Sequence, residues 1–245
     1  MTIYIDLIHY IMYNKYRIVN YYNEDVLMER GFTLAEVLVT LGIIGVVSAM
    51  TLPTLVKNHQ RQVYVTQLQK VVTELSQAAE KAINDNNAIS LEETKYNYNN
   101  ANAARDFFND YFKVVQTCTS TRTPCMAGEY KQLDGSSFDY WLFDPSATSP
   151  CVSIASGATI CMAEGVYCDP MDNKHDYTAL YIDINGAQGP NIVGRDLFYA
   201  ELYSDGKIAE SYTNDYHSDY CGESDATYGM GCLTKIMQDG WKMDY

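Results

Sequence analysis

Basic residues are scarce in this chain. Of its 245 residues, 17 are Lys or Arg and 31 are Asp or Glu, which gives a formal net charge of -14 and a pI near 4.5. A phosphate-binding surface gains affinity by releasing counterions through lysine and arginine contacts, so the composition argues against a nucleic-acid partner. An acid-rich composition is instead typical of a soluble, exposed domain or of a surface that collects divalent cations.

Catalytic fingerprints are also missing. The chain has no G-x-S-x-G elbow, no P-loop and no G-x-G-x-x-G dinucleotide motif. Its cysteines never occur at the C-x-x-C spacing that zinc sites and thiol redox motifs use. We therefore predict that the protein is not an enzyme.

No cysteine occurs before residue 118. The seven that follow are Cys118, Cys125, Cys151, Cys161, Cys168, Cys221 and Cys232. Without metal-site spacing, disulfides are the better interpretation, and disulfides require an oxidising compartment outside the cytoplasm. Short separations favour pairing Cys118 with Cys125, Cys151 with Cys161 and Cys221 with Cys232, which leaves Cys168 over. Six cysteines allow fifteen connectivities, so other pairings stay open.

Residues 32–56 form a long apolar run in which Glu36 is the only formally charged side chain. As a helix the run would extend about 37 Å, enough to cross a hydrocarbon core of about 30 Å. The run differs from a cleaved secretory signal, because a charge lies inside it near its start and no A-x-A site ends it. We predict a membrane-spanning segment.

An amphipathic pattern continues from residue 57 to residue 84. Apolar residues recur there at helical spacing with polar residues between them: Tyr64, Leu68, Val71, Val72, Leu75, Ala78, Ala79, Ala82 and Ile83. One helix is therefore predicted from Phe32 to about Ile83, ended by the polar stretch NDNN. Its apolar stripe has to be covered by a folded domain.

The stretch RGFTLAEVLVTLGIIGVVSAMTLPTL contains a basic residue before Gly31, then Phe32, Glu36, an apolar run and Pro53. It resembles the N-terminal signature of type IV pilins and of the pseudopilins of type II secretion systems. The resemblance implies that a prepilin peptidase cuts between Gly31 and Phe32 and that the new N-terminal Phe32 is N-methylated. Pro53 stands where the family usually has a helix-bending proline.

The resemblance also gives Glu36 a role in assembly. A carboxylate in lipid is costly unless it is paired. In a filament, the family arrangement pairs this acid with the amine of Phe32 on a neighbouring subunit, so that the pair sets the register. The alternative is that Glu36 is simply a favourable acid in the first helical turn. Pro53 removes a backbone donor and makes the segment bendable, although a membrane helix can also tolerate such a proline.

Residues 1–31 are predicted to be a leader that the mature protein lacks. Family leaders are short and basic, whereas this one is long and has more acids than bases. A start at Met28 would give a short leader that ends at Gly31. A genuine long leader is the competing interpretation.

Residues 85–245 are predicted to form the globular domain. The aromatic and apolar residues Phe107, Phe108, Tyr111, Phe112 and Val115 lie at helical spacing and predict a short second helix. Short β-like segments follow, including CVSIAS, ATICMAEGVYC, YTALYIDING and DLFYAELYSDGKIAESY. A long spine helix packed on an antiparallel sheet makes an α+β fold, which resembles the pilin fold, with disulfides within the domain.

The stretch DINGAQGPNIVGRD carries hard oxygen donors separated by glycines: Asp183, Asn185, Asn191 and Asp196. Such a set can hold calcium, although it lacks the glutamate that ends an EF-hand loop. Major pseudopilins have a calcium loop near this part of the fold, to which the stretch is similar in composition. The alternative is two ordinary turns between strands.

Three functions fit these observations. The first is a structural subunit of a type IV pilus or a type II secretion pseudopilus, whose partners are copies of itself or related pilins and the prepilin peptidase. The second is a minor pilin that acts as an adhesion or DNA-uptake module at the filament tip, which the acid excess disfavours for DNA. The third is a membrane-tethered enzyme, for which the sequence shows no polar pocket. We expect a single-pass inner-membrane protein with a periplasmic or extracellular domain that enters a filament on assembly.

Overall fold

A single long helix, α1, spans Leu34–Asp85 and continues through Pro53. The computed structural model describes residues 33–97, 100, 102–118, 122–138, 150–162, 167–168, 176–210, 221 and 231–245. The helix predicted from Phe32 to about Ile83 is confirmed to within two residues at each end, which is the usual uncertainty of helix termini.

The chain divides into two compact units, the first of which ends at Leu55. The described part of this unit is the front of α1, where large apolar side chains such as Leu38, Ile43 and Met50 are exposed. Among the described residues, α1 is the one helix long and apolar enough to cross a membrane. A helix that is apolar on all sides is stable in lipid or when it packs against other helices.

The second unit, Val56–Tyr245, is built on the rear of α1. The helix buries one stripe there: Val65, Leu68, Val71, Val72, Leu75, Ala78, Ala79 and Ala82. Tyr64 and Ile83 are partly buried at the margin of the same core. The stripe shares this core with the sheet residues Ile160, Leu180, Ile182, Phe198, Ala200 and Leu202. The predicted apolar face of α1 therefore forms one side of the hydrophobic core of the domain.

The sheet, as far as the described residues show it, has seven antiparallel strands. They are β1 Val114–Cys118, β4 Cys151–Ile154, β5 Thr159–Met162, β6 Tyr167–Cys168, β7 Asp176–Asp183, β8 Leu197–Tyr203 and β9 Ile208–Ala209, in the order β1-β4-β5-β7-β8-β9 with β6 beside β7. A separate hairpin pairs β2 Tyr130–Lys131 with β3 Ser137–Phe138. The predicted α+β fold is confirmed.

Alternate residues of the central strands belong to two cores. Leu180 and Ile182 of β7 join the core with α1, whereas Tyr181 lies in a second core with Tyr199 of β8. The rings of Tyr181 and Tyr199 meet edge to face with centroids 5.4 Å apart. Since successive strand residues point to opposite faces, both faces of these strands are covered.

Three disulfides join the described cysteines, and they are the pairs that the short separations favoured: Cys118–Cys125, Cys151–Cys161 and Cys221–Cys232. Cys151 and Cys161 face each other across β4 and β5. Closing a loop of this length removes conformational entropy from the unfolded chain, worth about 2 to 3 kcal/mol in the chain-entropy model. Cys168 lies in β6, and its side chain is outside the described part of the chain.

The second helix, α2, is shorter than its aromatic spacing predicted. It spans Ala103–Tyr111, and Phe112 already has an extended backbone with φ -123° and ψ 150°. Val115 is in β1, where 70% of its surface is exposed, so its inclusion in the helix was wrong. Val114 and Gln116, on either side of it, pair with β4, so Val115 lies in the strand at an irregularity of the register, where its β-branched side chain suits an extended backbone.

Candidate functional site

The first turn of α1 is closed by a capping box formed by Thr33 and Glu36. Oε2 of Glu36 accepts the backbone N–H of Thr33 at 2.8 Å and the Thr33 hydroxyl at 2.9 Å. In return, the Thr33 hydroxyl oxygen accepts the backbone N–H of Glu36 at 3.2 Å. The two residues thereby give partners to donors that a helix start otherwise leaves unsatisfied.

This geometry agrees with the view of Glu36 as a favourable acid in the first turn. Sequence reasoning missed the part played by Thr33, although a threonine three residues before a glutamate is the signal for a capping box. Oε1 of Glu36 has no hydrogen bond to any described residue, so the carboxylate keeps an acceptor for a cation. Gly31 and Phe32, where cleavage and methylation are predicted, lie outside the described residues.

Pro53 is accommodated inside α1 in this structure. A proline has no N–H to donate to the carbonyl four residues earlier, here that of Ala49. The helix nonetheless continues on both sides of Pro53. A role for this residue in bending or assembly stays a prediction.

The four residues of the predicted calcium loop come together where β7 leads into β8. Asp183 ends β7 and accepts the backbone N–H of Asn185 at 3.1 Å. Asp196 accepts the backbone N–H groups of Asn191 and Ile192, both at 2.6 Å. The acids at the two ends of the loop therefore hold its backbone in a closed turn.

Both carboxyl groups are buried, and both have raised pKa values. Burial raises the pKa of Asp183 to about 8; a hydrogen bond from the Tyr130 hydroxyl opposes this, and the negative charge of Asp196 adds to it. Burial also raises the pKa of Asp196, against the backbone N–H groups that it accepts. Neither acid forms a salt bridge with a described lysine or arginine.

Two amide oxygens complete this cluster. Oδ1 of Asn185 and Oδ1 of Asn191 are buried and have no hydrogen-bond partner among the residues that the structure describes. Orphaned oxygens beside buried acids are the hard donors that Ca²⁺ takes. The described residues contain no group of three or more His, Cys, Asp and Glu that could hold a metal. A cation here would therefore depend on amide or backbone oxygens as well as on the two acids, and the donor set fits calcium.

Glu210 is a further buried acid, and sequence analysis did not identify it as a candidate. It follows β9 and accepts the backbone N–H groups of Gly231 at 2.9 Å and of Thr234 at 2.7 Å. It thus ties the start of a short helix, α3 at Cys232–Gln238, to the end of the sheet. Burial raises the pKa of Glu210 to about 7, although the backbone N–H groups oppose the change.

The stability of the domain should fall as pH rises between about 4.5 and about 7. A folded-state pKa of about 7 against an ordinary 4.5 means that the folded protein binds more protons in this window, so Glu210 lowers the free energy of unfolding by up to about 3 kcal/mol across it. Glu210→Gln should flatten this decline, as measured by urea unfolding at pH 5 and pH 8. Glu80→Gln, which changes an exposed glutamate on α1, should keep it, and equal slopes in both variants would contradict the assignment.

Comparison with protein families places one match on this chain. The model described as the prokaryotic N-terminal methylation motif matches residues 27–52, which include Gly31, Phe32 and Glu36 but not Pro53. No curated protein and no solved structure matches the chain. The match begins one residue before Met28 and covers the capped helix start and the exposed apolar front of α1. The chain therefore carries the N-terminal methylation motif, the signature of type IV pilins and pseudopilins.

Proposed function

We propose that this chain is a structural subunit of a type IV pilus or of a type II secretion pseudopilus. Prepilin peptidase cuts it between Gly31 and Phe32, Phe32 is N-methylated, and the mature chain joins copies of itself or related pilins through the front of α1. The observation that carries the proposal is the methylation motif at residues 27–52, read together with the helix on which it lies.

The two parts of α1 support different steps of this function. Apolar side chains from Leu34 to Val56 are exposed, as expected of a segment stored in lipid and then packed against other helices. From Val65 onward the helix buries its stripe within its own domain. After the domain has folded, the apolar front of α1 is therefore still exposed and can insert into a membrane or pack against other helices in a filament.

The disulfides support a location for the domain. Three disulfides in one small domain need an oxidising compartment, which the cytoplasm is not. We place the helix front in the inner membrane and the domain in the periplasm or outside the cell. Disulfides add stability to a small hydrophobic core, as expected of a subunit that is exposed outside the cytoplasm.

Protein isolated from its native host should begin at Phe32. Intact-mass and N-terminal analysis should find residues 32–245, one added methyl group at the N-terminus, and a mass lowered by the hydrogens lost in three disulfides. Reduction before measurement provides the control for the disulfides. A chain that keeps its original N-terminus, or an unmethylated Phe32, would contradict the proposed processing.

We further propose that the β7–β8 loop holds Ca²⁺ through Asp183, Asn185, Asn191 and Asp196. The cation would neutralise two buried carboxylates and give partners to two orphaned amide oxygens. Its effect would be to stabilise the folded loop rather than to take part in a reaction.

Saturating calcium should raise the melting temperature of the purified protein. At a concentration of about 100 times the dissociation constant, the gain is about 2.7 kcal/mol, or roughly 5 to 10 °C for a chain of this size. Asp196→Asn should lose most of this rise, while Asp134→Asn, in an exposed turn, should keep it. A calcium response that survives in Asp183→Asn and Asp196→Asn would place the ion elsewhere.

A further inference from the structure

A segment at residues 122–131 packs directly against the β7–β8 loop. Its Cys125 is disulfide-bonded to Cys118 at the end of β1, and the segment leads into β2. Cys125, Met126 and Tyr130 within it are 3% exposed or less. We call residues 122–131 the brace. It contacts the loop of the proposed calcium site at three separate places.

The first contact lies at Gly186, in the middle of the loop. A Cβ built on Gly186 would lie 3.4 Å from the Thr159 hydroxyl oxygen and 3.5 Å from the carbonyl oxygen of Cys125. The Thr159 hydroxyl in turn donates to that Cys125 carbonyl at 2.8 Å. Thr159 also pairs with Asp183 across β5 and β7. A disulfide-bonded residue of the brace therefore packs against the loop, next to one of its acids.

The second contact is a hydrogen bond that the Tyr130 hydroxyl donates to Asp183. The same hydroxyl accepts the backbone N–H of Ala127 at 3.2 Å. The other carboxyl oxygen of Asp183 accepts the backbone N–H of Asn185 at 3.1 Å. One bond from the brace and one from the loop thus fix the direction of this carboxyl group, while each oxygen keeps a second lone pair for a cation. Tyr130 is therefore a positioning residue for an acid of the proposed calcium site.

The third contact joins the backbone of Lys131 to the far half of the loop. Lys131 donates its N–H to the carbonyl of Asn191 and accepts the N–H of Val193, both at 2.9 Å. Asn191 carries one of the two buried amide oxygens that have no described partner, and its own N–H donates to Asp196. Because hydrogen-bonded networks carry coupling between sites, a movement of the brace would displace proposed calcium ligands in both halves of the loop.

The Cys118–Cys125 disulfide limits how far the brace can move. The two cysteines are seven positions apart, and both are buried. A crosslink lowers the number of conformations open to the brace when it leaves the loop, so it favours the docked conformation. Because both cysteines are buried, a reductant reaches them only when the brace opens locally. A ligand that keeps the brace docked therefore protects the disulfide from reduction.

We propose that calcium binding in the β7–β8 loop and the Cys118–Cys125 disulfide stabilise each other through the brace. The disulfide holds Tyr130 and Lys131 where they position the calcium ligands, and bound calcium keeps the brace docked. By thermodynamic linkage, the two effects are equal in free energy. A new chain would thus bind calcium tightly only after this disulfide has formed. The inference rests on the calcium site of the proposed function but not on cleavage, methylation or assembly.

Reduction of this disulfide by dithiothreitol follows ordinary thiol–disulfide exchange. One thiolate of the reagent attacks a sulfur of the pair, forms a mixed disulfide and releases the other cysteine as a thiolate, which takes up a proton. The second thiolate of the reagent then attacks the mixed disulfide, closes the oxidised ring of the reagent and releases the second cysteine. The protein gains two electrons and two protons, and one reagent molecule is oxidised.

The rate of this reduction in the full-length protein in detergent is the first test, measured by alkylation and peptide mass spectrometry. With calcium at about 100 times its dissociation constant, Cys118–Cys125 should be reduced at least about fivefold more slowly than in EDTA. Tyr130→Phe, at the same multiple of its own dissociation constant, should show less than half of this protection. Tyr96→Phe is the matched control, because it removes a tyrosine bond to Asp110 away from the brace, and it should keep the protection.

The calcium affinity is the second test, measured by isothermal titration calorimetry. Cys118→Ser combined with Cys125→Ser should bind Ca²⁺ at least about fivefold more weakly than the wild type. Cys221→Ser combined with Cys232→Ser removes a disulfide at the start of α3 instead of one on the brace. This control should weaken binding by less than about twofold. An equal loss in both double variants would contradict a specific role of the brace.

The outcomes separate the coupling from the calcium site itself. Equal calcium affinity with and without the Cys118–Cys125 disulfide would overturn the coupling and leave the site standing. No calcium binding by the oxidised wild type would refute the site together with the coupling. Equal protection in Tyr130→Phe and Tyr96→Phe would show that the ion acts on the whole domain and not through the brace. Should the variants fail to fold, the reduction rates of the wild type in calcium and in EDTA decide, and equal rates would refute the coupling.

Discussion

Gly31→Leu is expected to leave the whole population of the protein as an unprocessed precursor that still carries residues 1–31. The proposed cut lies directly after Gly31, and a peptidase site shaped for a residue without a side chain would have no room for a branched one. Co-expression with a prepilin peptidase, followed by immunoblotting, measures the effect as the loss of the faster-migrating product.

Gly42→Leu is the matched control for this experiment. It makes the same substitution within the motif, at a position where an added Cβ meets no atom within 4 Å. We expect normal cleavage of this variant. Normal processing of Gly31→Leu would remove the basis of the proposed function, because every later step requires the new N-terminus.

Glu36→Gln is expected to be cleaved normally but to enter filaments at least tenfold less than the wild type. Glutamine keeps an oxygen that can accept the N–H and hydroxyl of Thr33, so the capping box survives. It removes the charge, which in the predicted pairing would leave the amine of a neighbouring Phe32 without a counter-ion in lipid. Leaving one buried charge unpaired costs about 3 to 5 kcal/mol, well above what a tenfold change requires. The ratio of subunit in sheared filaments to subunit in membranes measures the effect.

Thr33→Val distinguishes the effect of the Glu36 charge from the effect of the helix cap. It removes the hydroxyl of the capping box but leaves the Glu36 carboxylate in place. Loss of such a cap costs about 1 kcal/mol of helix stability, so we expect incorporation close to that of the wild type. If Thr33→Val fails while Glu36→Gln assembles, the helix start and not the charge pair directs assembly.

Much of the candidate site was open to prediction because it is built from neighbouring residues. The motif, the apolar run and the amphipathic stripe are patterns of consecutive positions, and α1 follows them to within two residues at each end. Even the Thr33–Glu36 capping box, which was overlooked, has a local four-residue signal. Val115 shows the limit of this reasoning, since pairing of its neighbours Val114 and Gln116 with β4 places it in a strand despite its helical spacing.

Contacts between distant positions could not be predicted in this way. Tyr130 reaches Asp183 across 53 positions, and Glu210 reaches Thr234 across 24. Nothing in the local spacing around these residues indicates such a partner. Their energetics depend on burial, which raises the pKa of Asp183 to about 8 and of Glu210 to about 7. Burial is a property of the folded chain as a whole.

Reading the residues in order was enough to predict an apolar helix, its continuation into an amphipathic spine and an α+β domain, and it favoured the three disulfide pairs without excluding others. These features depend on periodicity and on short loops, which neighbouring residues encode directly. Folding was needed to show that Asp183, Asp196 and two orphaned amides share one loop, and that the Glu210 carboxylate binds the backbone at the start of α3. The reason is physical. The charge and the hydrogen-bonding groups of a residue are known from the sequence, but packing in the folded chain decides whether those groups contact water, a protein partner or neither.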